Sequence, residues 1–108
     1  MEQYAWKGRL FPGKLPEYKK RHDEIWPEMK EMLTQAGIRN YSIWNVGDEL
    51  FGYYECDSVY TALKVQADSD ISKRWKTHMK DIMEICKSPD TGEPLVLTNV
   101  FKFKCTEN

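Results

Sequence analysis

Among 108 residues, His22 is the one whose type and position most invite chemistry. Counted at 3.6 residues per turn, it shares a helical stripe with Tyr18, Trp26 and Met29, and Tyr18 precedes it by one turn. An imidazole titrates near neutrality and can take or give a proton to a small molecule. Two readings fit the spacing: a core histidine satisfied by local hydrogen bonds, or a proton-transfer group in an aromatic pocket. Tyr18 and Trp26 on either side favour the second, as does Pro27, which removes a helix hydrogen bond one turn further on.

Other candidates are fewer. Tyr41 opens a β-rich run, and its hydroxyl is placed either in a binding pocket or in water at the sheet edge. Trp75 and Lys76 fall in a later helix, where the indole is either a core residue or a ligand wall. No glycine-rich phosphate loop, nucleophile elbow or HExxH motif occurs, so nucleotide binding and covalent catalysis lack support. Cys56, Cys86 and Cys105 are odd in number and contain no CxxC, which suits neither a disulfide framework nor zinc and points to a reducing cytoplasm. With two histidines and no carboxylates at ligand-like spacing, no metal is expected.

Sixteen Lys+Arg against 17 Asp+Glu give a formal net charge of -1 without long blocks of either sign, which argues against nucleic acid or an anionic membrane. No run approaches a spanning helix, and the N-terminus carries no export signal. At this length, with 41% hydrophobic residues, one domain over residues 1–108 is expected.

The elements that must position these side chains follow from periodicity. Gln3 to Leu10 alternates as a strand. Lys14 to Ala36 reads as one helix kinked at Pro27 and stopped by Gly37. Asn40 to Val46 and Glu49 to Glu55 flank Gly47-Asp48 as a hairpin. Ser58 to Gln66 reads as a short helix, and Ser69 or Asp70 caps a longer one extending to Cys86. Leu95 to Lys104 is a final strand with apolar residues on both faces. The order strand, helix, strand, strand, helix, strand is the ferredoxin-like βαββαβ unit, an α+β fold with a four-stranded antiparallel sheet and both helices on one face. The other face is aromatic, and a second copy packed sheet to sheet would cover it, with Trp6 or Trp44 and the final strand in the interface.

The run Tyr18-Lys-Lys-Arg21-His22-Asp-Glu-Ile25-Trp26-Pro27-Glu28, with Gly37, Asn40-Tyr41, Ile43, Arg74-Trp75, Met79 and Val100-Phe101 beyond it, resembles the L-rhamnose mutarotase family over nearly the whole chain. The resemblance implies a dimeric α+β barrel, cytoplasmic and free of cofactors, that interconverts the α and β anomers of L-rhamnose or a similar 6-deoxy aldopyranose. It puts the proton-donating histidine on His22, the sugar-binding tyrosines on Tyr18 and Tyr41, and the sugar-binding tryptophan on Trp75. His78 lies outside the motif and is expected to be dispensable. A family member with two consecutive Trp in the second helix differs from this chain, where Lys76 follows Trp75 and would replace an aromatic wall by an ammonium. The competing expectations are a cofactor-independent monooxygenase or haem-degrading enzyme on the same plan, and a sugar-binding module without catalysis.

Overall fold

The computed structural model describes residues 1–105. Its elements are β1 (Glu2–Leu10), α1 (Leu15–Asp23), α2 (Pro27–Gln35), β2 (Ile38–Val46), β3 (Glu49–Cys56), α3 (Val59–Asp68), α4 (Asp70–Met79) and β4 (Met83–Ile85). All strand pairs are antiparallel, in the order β2-β3-β1-β4. This is the split βαββαβ arrangement, with each of its two helical positions filled by a pair of short helices. Alternation gives the sheet two distinct faces. Trp6, Leu10 and Leu50 are buried with Tyr18 of α1, Met79 of α4 and the nearby Ile82 in one core cluster, and Tyr54 and Cys56 are buried with Ala62 of α3 in a second. Burying side chains of this size stabilises the fold by about 1.5–3 kcal/mol each.

Three expectations are corrected. The stretch from Lys14 to Ala36 is two helices rather than one kinked helix. Steric conflict with the proline ring disfavours helical backbone at the preceding residue, and Trp26 accordingly takes φ -64, ψ 139 as the N-cap of α2. The helix expected to reach Cys86 ends at Met79, with Lys80 as its C-cap. The fourth strand is Met83–Ile85, not Leu95 to Lys104, because the chain leaving α4 meets the β1 edge at once, pairing Gly8 with Ile85 and Leu10 with Met83. The later segment only prolongs that edge: Trp6 bridges Val96, and Leu97 N–H donates to the Ala5 carbonyl at 2.8 Å. Beyond it Val100, Phe101 and Phe103 are 93%, 77% and 79% exposed.

The caps follow local chemistry. Ser58 and Ser69 accept N–H bonds from Thr61 and Ser72 at the starts of α3 and α4. Gly47, at φ +57, makes the tight β2–β3 connection.

Candidate active site

His22 lies in the last turn of α1, where its ring is carried over Tyr18 at a centroid distance of 4.4 Å. The spacing of four residues also brings Nδ1 to 3.1 Å from the Tyr18 carbonyl oxygen. A carbonyl only accepts, so Nδ1 carries the proton and the neutral ring presents a bare Nε2. Burial is the main influence on this imidazole and lowers its pKa from the usual value, partly offset by the bond to Tyr18 and by nearby Asp23. Near pH 7 the ring is therefore neutral and able to receive a proton.

The second half of the site comes from α4. Trp75 meets His22 edge-on at 5.4 Å and Trp26 edge-on at 5.1 Å. His78, one turn after Trp75, lies 5.1 Å from Trp26 and 5.4 Å from Trp75. Arg21 holds the two helices together. Its guanidinium pairs with Glu17 Oε2 at 2.8 Å on its own helix and with Asp81 Oδ1 at 2.9 Å, and it also donates to the His78 carbonyl. These partners raise the Arg21 pKa further, and Arg21 in turn holds the Asp81 and Glu17 carboxyls below their ordinary values.

The floor is the sheet. Tyr41 packs against the core cluster that contains Tyr18, and its hydroxyl accepts the Trp6 indole N–H at 2.9 Å. Burial drives both tyrosine pKa values well upward, so both remain neutral phenols. The structure thus brings His22 against both Tyr18 and Trp75, and packs Tyr41 and Trp75 on the core cluster that contains Tyr18. Lys76 is not gathered with them. Its side chain is exposed, as expected for a residue about 100° around the helix from Trp75. Two surface concavities, one between α2 and the α3–α4 junction and one on the open sheet face, are lined by none of these residues.

Sequence reasoning missed three members of the site. His78 was detectable from its i+3 spacing to Trp75, and Arg21 from its i+4 spacing to Glu17. Trp6 is expected, with Trp44 as the alternative, in the dimer interface; the structure instead buries it in the core with Tyr18 and Met79, because its place above Gly52 depends on the β1–β3 register.

A neutral imidazole with one fixed nitrogen, two protonated phenols and two indoles can bind a small polyol and relay a proton between its oxygens. Comparison with known proteins agrees. Residues 3–103 match the family model of L-rhamnose mutarotase. An L-rhamnose mutarotase of Jannaschia sp. (strain CCS1) is 47% identical over 107 residues, covering 94% of this chain and 97% of the relative. The crystal structure of an L-rhamnose mutarotase from Formosa agariphila superposes with a TM-score of 0.77 at 32% identity, covering 96% of this chain and all of that one. A dimeric ferredoxin-like protein from an uncultured marine organism shares the fold, with a TM-score of 0.64 at 19% identity and coverage of 96% and 100%.

Proposed function

The chain belongs to the L-rhamnose mutarotase family, and from that premise we propose that it exchanges the α and β anomers of L-rhamnose by acid/base opening of the pyranose ring. The observation that carries the chemistry is the Nδ1–H bond of His22 to the Tyr18 carbonyl, which leaves Nε2 as the reactive nitrogen.

The anomeric hydroxyl gives its proton to His22 Nε2 as the carbonyl forms at C1 and the bond from C1 to the ring oxygen breaks. The resulting imidazolium donates that proton to the ring oxygen, which becomes the C5 hydroxyl. Rotation about C1–C2 presents the other carbonyl face, and the same steps in reverse close the opposite anomer. One proton moves between two oxygens of the same sugar, and no electrons are exchanged. Tyr18 and Tyr41 supply neutral hydroxyls for the sugar oxygens, and Trp75 offers an apolar surface to its C–H groups. The relatives favour neither an oxygenase, a haem-degrading enzyme nor a non-catalytic sugar-binding module.

Saturation-transfer NMR of L-rhamnose tests the proposal directly. Catalytic amounts of protein should exchange saturation between the two anomeric protons, and binding without exchange would rule out the enzyme reading.

The proposal extends to a cytoplasmic homodimer acting in rhamnose metabolism. Cys56 and Cys86 are free thiols, consistent with a reducing compartment. Among the described residues no helix is long and apolar enough to cross a membrane. Trp44 is 69% exposed, and Phe101 and Phe103 are largely exposed too, which supports burial against a second copy as in the dimeric neighbour.

A further inference from the structure

We propose that Trp6 is a positioning residue of this site: its indole, seated on Gly52, holds Tyr41 as a hydrogen-bond donor directed at the sugar. The inference rests on the reading of His22, Tyr18 and Tyr41 as the sugar site.

The β1–β3 register sets Trp6 opposite Gly52, and the β2–β3 register sets Ile43 on the far side of the same glycine. A Cβ added at Gly52 would lie 2.0 Å from Trp6 Cε2 and 2.2 Å from Nε1. The indole therefore occupies the space that any larger residue would fill, and it reaches across β3 toward β2. Tyr41 meets it there because β2 is irregular. Asn40 takes φ +53, a left-handed conformation that asparagine tolerates, and the register shifts between Arg39 and Ser42.

The polarity of the Trp6–Tyr41 bond gives it a function. An indole N–H can only donate, so the Tyr41 oxygen is the acceptor and its own O–H must point elsewhere. Among the described residues no group accepts that proton. A phenol without that partner could donate or accept, whereas Tyr41, packed against the cluster that contains Tyr18, is held as a donor. A sugar oxygen that gains negative charge as the ring opens is the acceptor such a donor suits.

The test is a double-mutant cycle of Trp6→Phe and Tyr41→Phe, read as kcat/KM for L-rhamnose anomer exchange, with His22→Ala measured alongside. Each single variant should lose about tenfold, and the double variant should be no worse than Tyr41→Phe alone. Independent, multiplying losses, or a Trp6→Phe rate equal to wild type, would overturn the proposal. If Trp6→Phe unfolds, replacing Trp6 by 3-benzothienylalanine keeps the ring shape without the N–H. The same tenfold loss at unchanged Tm is expected, and an unchanged rate refutes the role. Loss of exchange in His22→Ala combined with a multiplicative cycle rejects only the Trp6 inference, whereas full activity in His22→Ala rejects the site itself.

Discussion

His22 Nδ1 and the Tyr18 carbonyl are joined at 3.1 Å across one turn of α1, so the tautomer of the candidate catalytic group is set by its own helix. Such a bond forms wherever the helix forms, with or without sugar present. His22→Ala should therefore lower anomer exchange by about 10² to 10⁴ while leaving the fold intact, the usual scale for a general acid-base group. Saturation-transfer rates and a circular dichroism melt on the same sample check both halves. His78→Ala should stay within about tenfold of wild type, because His78 contributes a ring to the wall rather than a bond to the reacting atoms.

The pH profile follows from the direction of the His22 shift. Burial disfavours the imidazolium, so the folded pKa lies below the ordinary imidazole value of 6.5. The neutral form that accepts the first proton persists until the pH falls through that lowered pKa. The acid limb of kcat/KM, corrected for uncatalysed mutarotation, should have its midpoint below pH 6.5. Stability has the same sign: the contribution from neutral His22 is complete above the unfolded pKa and is lost as pH falls through the folded one. A midpoint above 7 that disappears in His22→Ala would contradict the burial argument.

Sedimentation equilibrium should report a dimer at micromolar concentration. Replacing Phe101 and Phe103 together by Asp should shift the protein to monomer, since both rings are largely exposed within their own chain and charge would oppose burial against a partner. An unshifted dimer would move the interface off this segment.

Lys76 is exposed, which makes it a weak candidate for choosing the sugar. Lys76→Trp should leave the ratio of exchange rates for L-rhamnose and L-fucose within about twofold of wild type, as expected for a side chain about 100° from Trp75. A clear gain for L-rhamnose would show that the lysine reaches the bound sugar.

Gly52→Ala should be costly for so small a change. The added methyl falls within 2.4 Å of three indole atoms, and such overpacking typically costs about 1–3 kcal/mol. A Tm decrease of roughly 4–8 °C for each kcal/mol is expected in a domain of this size.

Features carried by local spacing could be read from the sequence. The stripe of Tyr18, His22 and Trp26, the Ser69 cap and the Gly47-Asp48 hairpin depend on neighbours within a few residues. Pro27 in a helical stripe implies a kink, yet its effect on Trp26 is strong enough to end one helix and start another. Met83–Ile85 is too short to leave a periodic signal, and it forms because β1 has an open edge beside the end of α4. The alternation from Leu95 to Lys104 is present, but within one chain only its first residues find a strand to pair with. Trp6 is legible as an aromatic on the sheet but falls to the wrong face, because its role requires β1, β2 and β3 to be in register, information distributed over some fifty positions.

The break between α1 and α2 also has an electrostatic consequence. In an uninterrupted helix from Leu15 to Gln35, His22 would be a mid-helix residue surrounded by cancelling peptide dipoles. Ending α1 at Asp23 puts the imidazole in the final turn, together with Lys20 and Arg21, where aligned carbonyls amount to about half a negative charge. That partial charge favours the imidazolium, the form that burial penalises and that exists only while the proton is between sugar oxygens. Pro27 thus places the negative pole of a helix dipole beside the one group that must become positive for an instant.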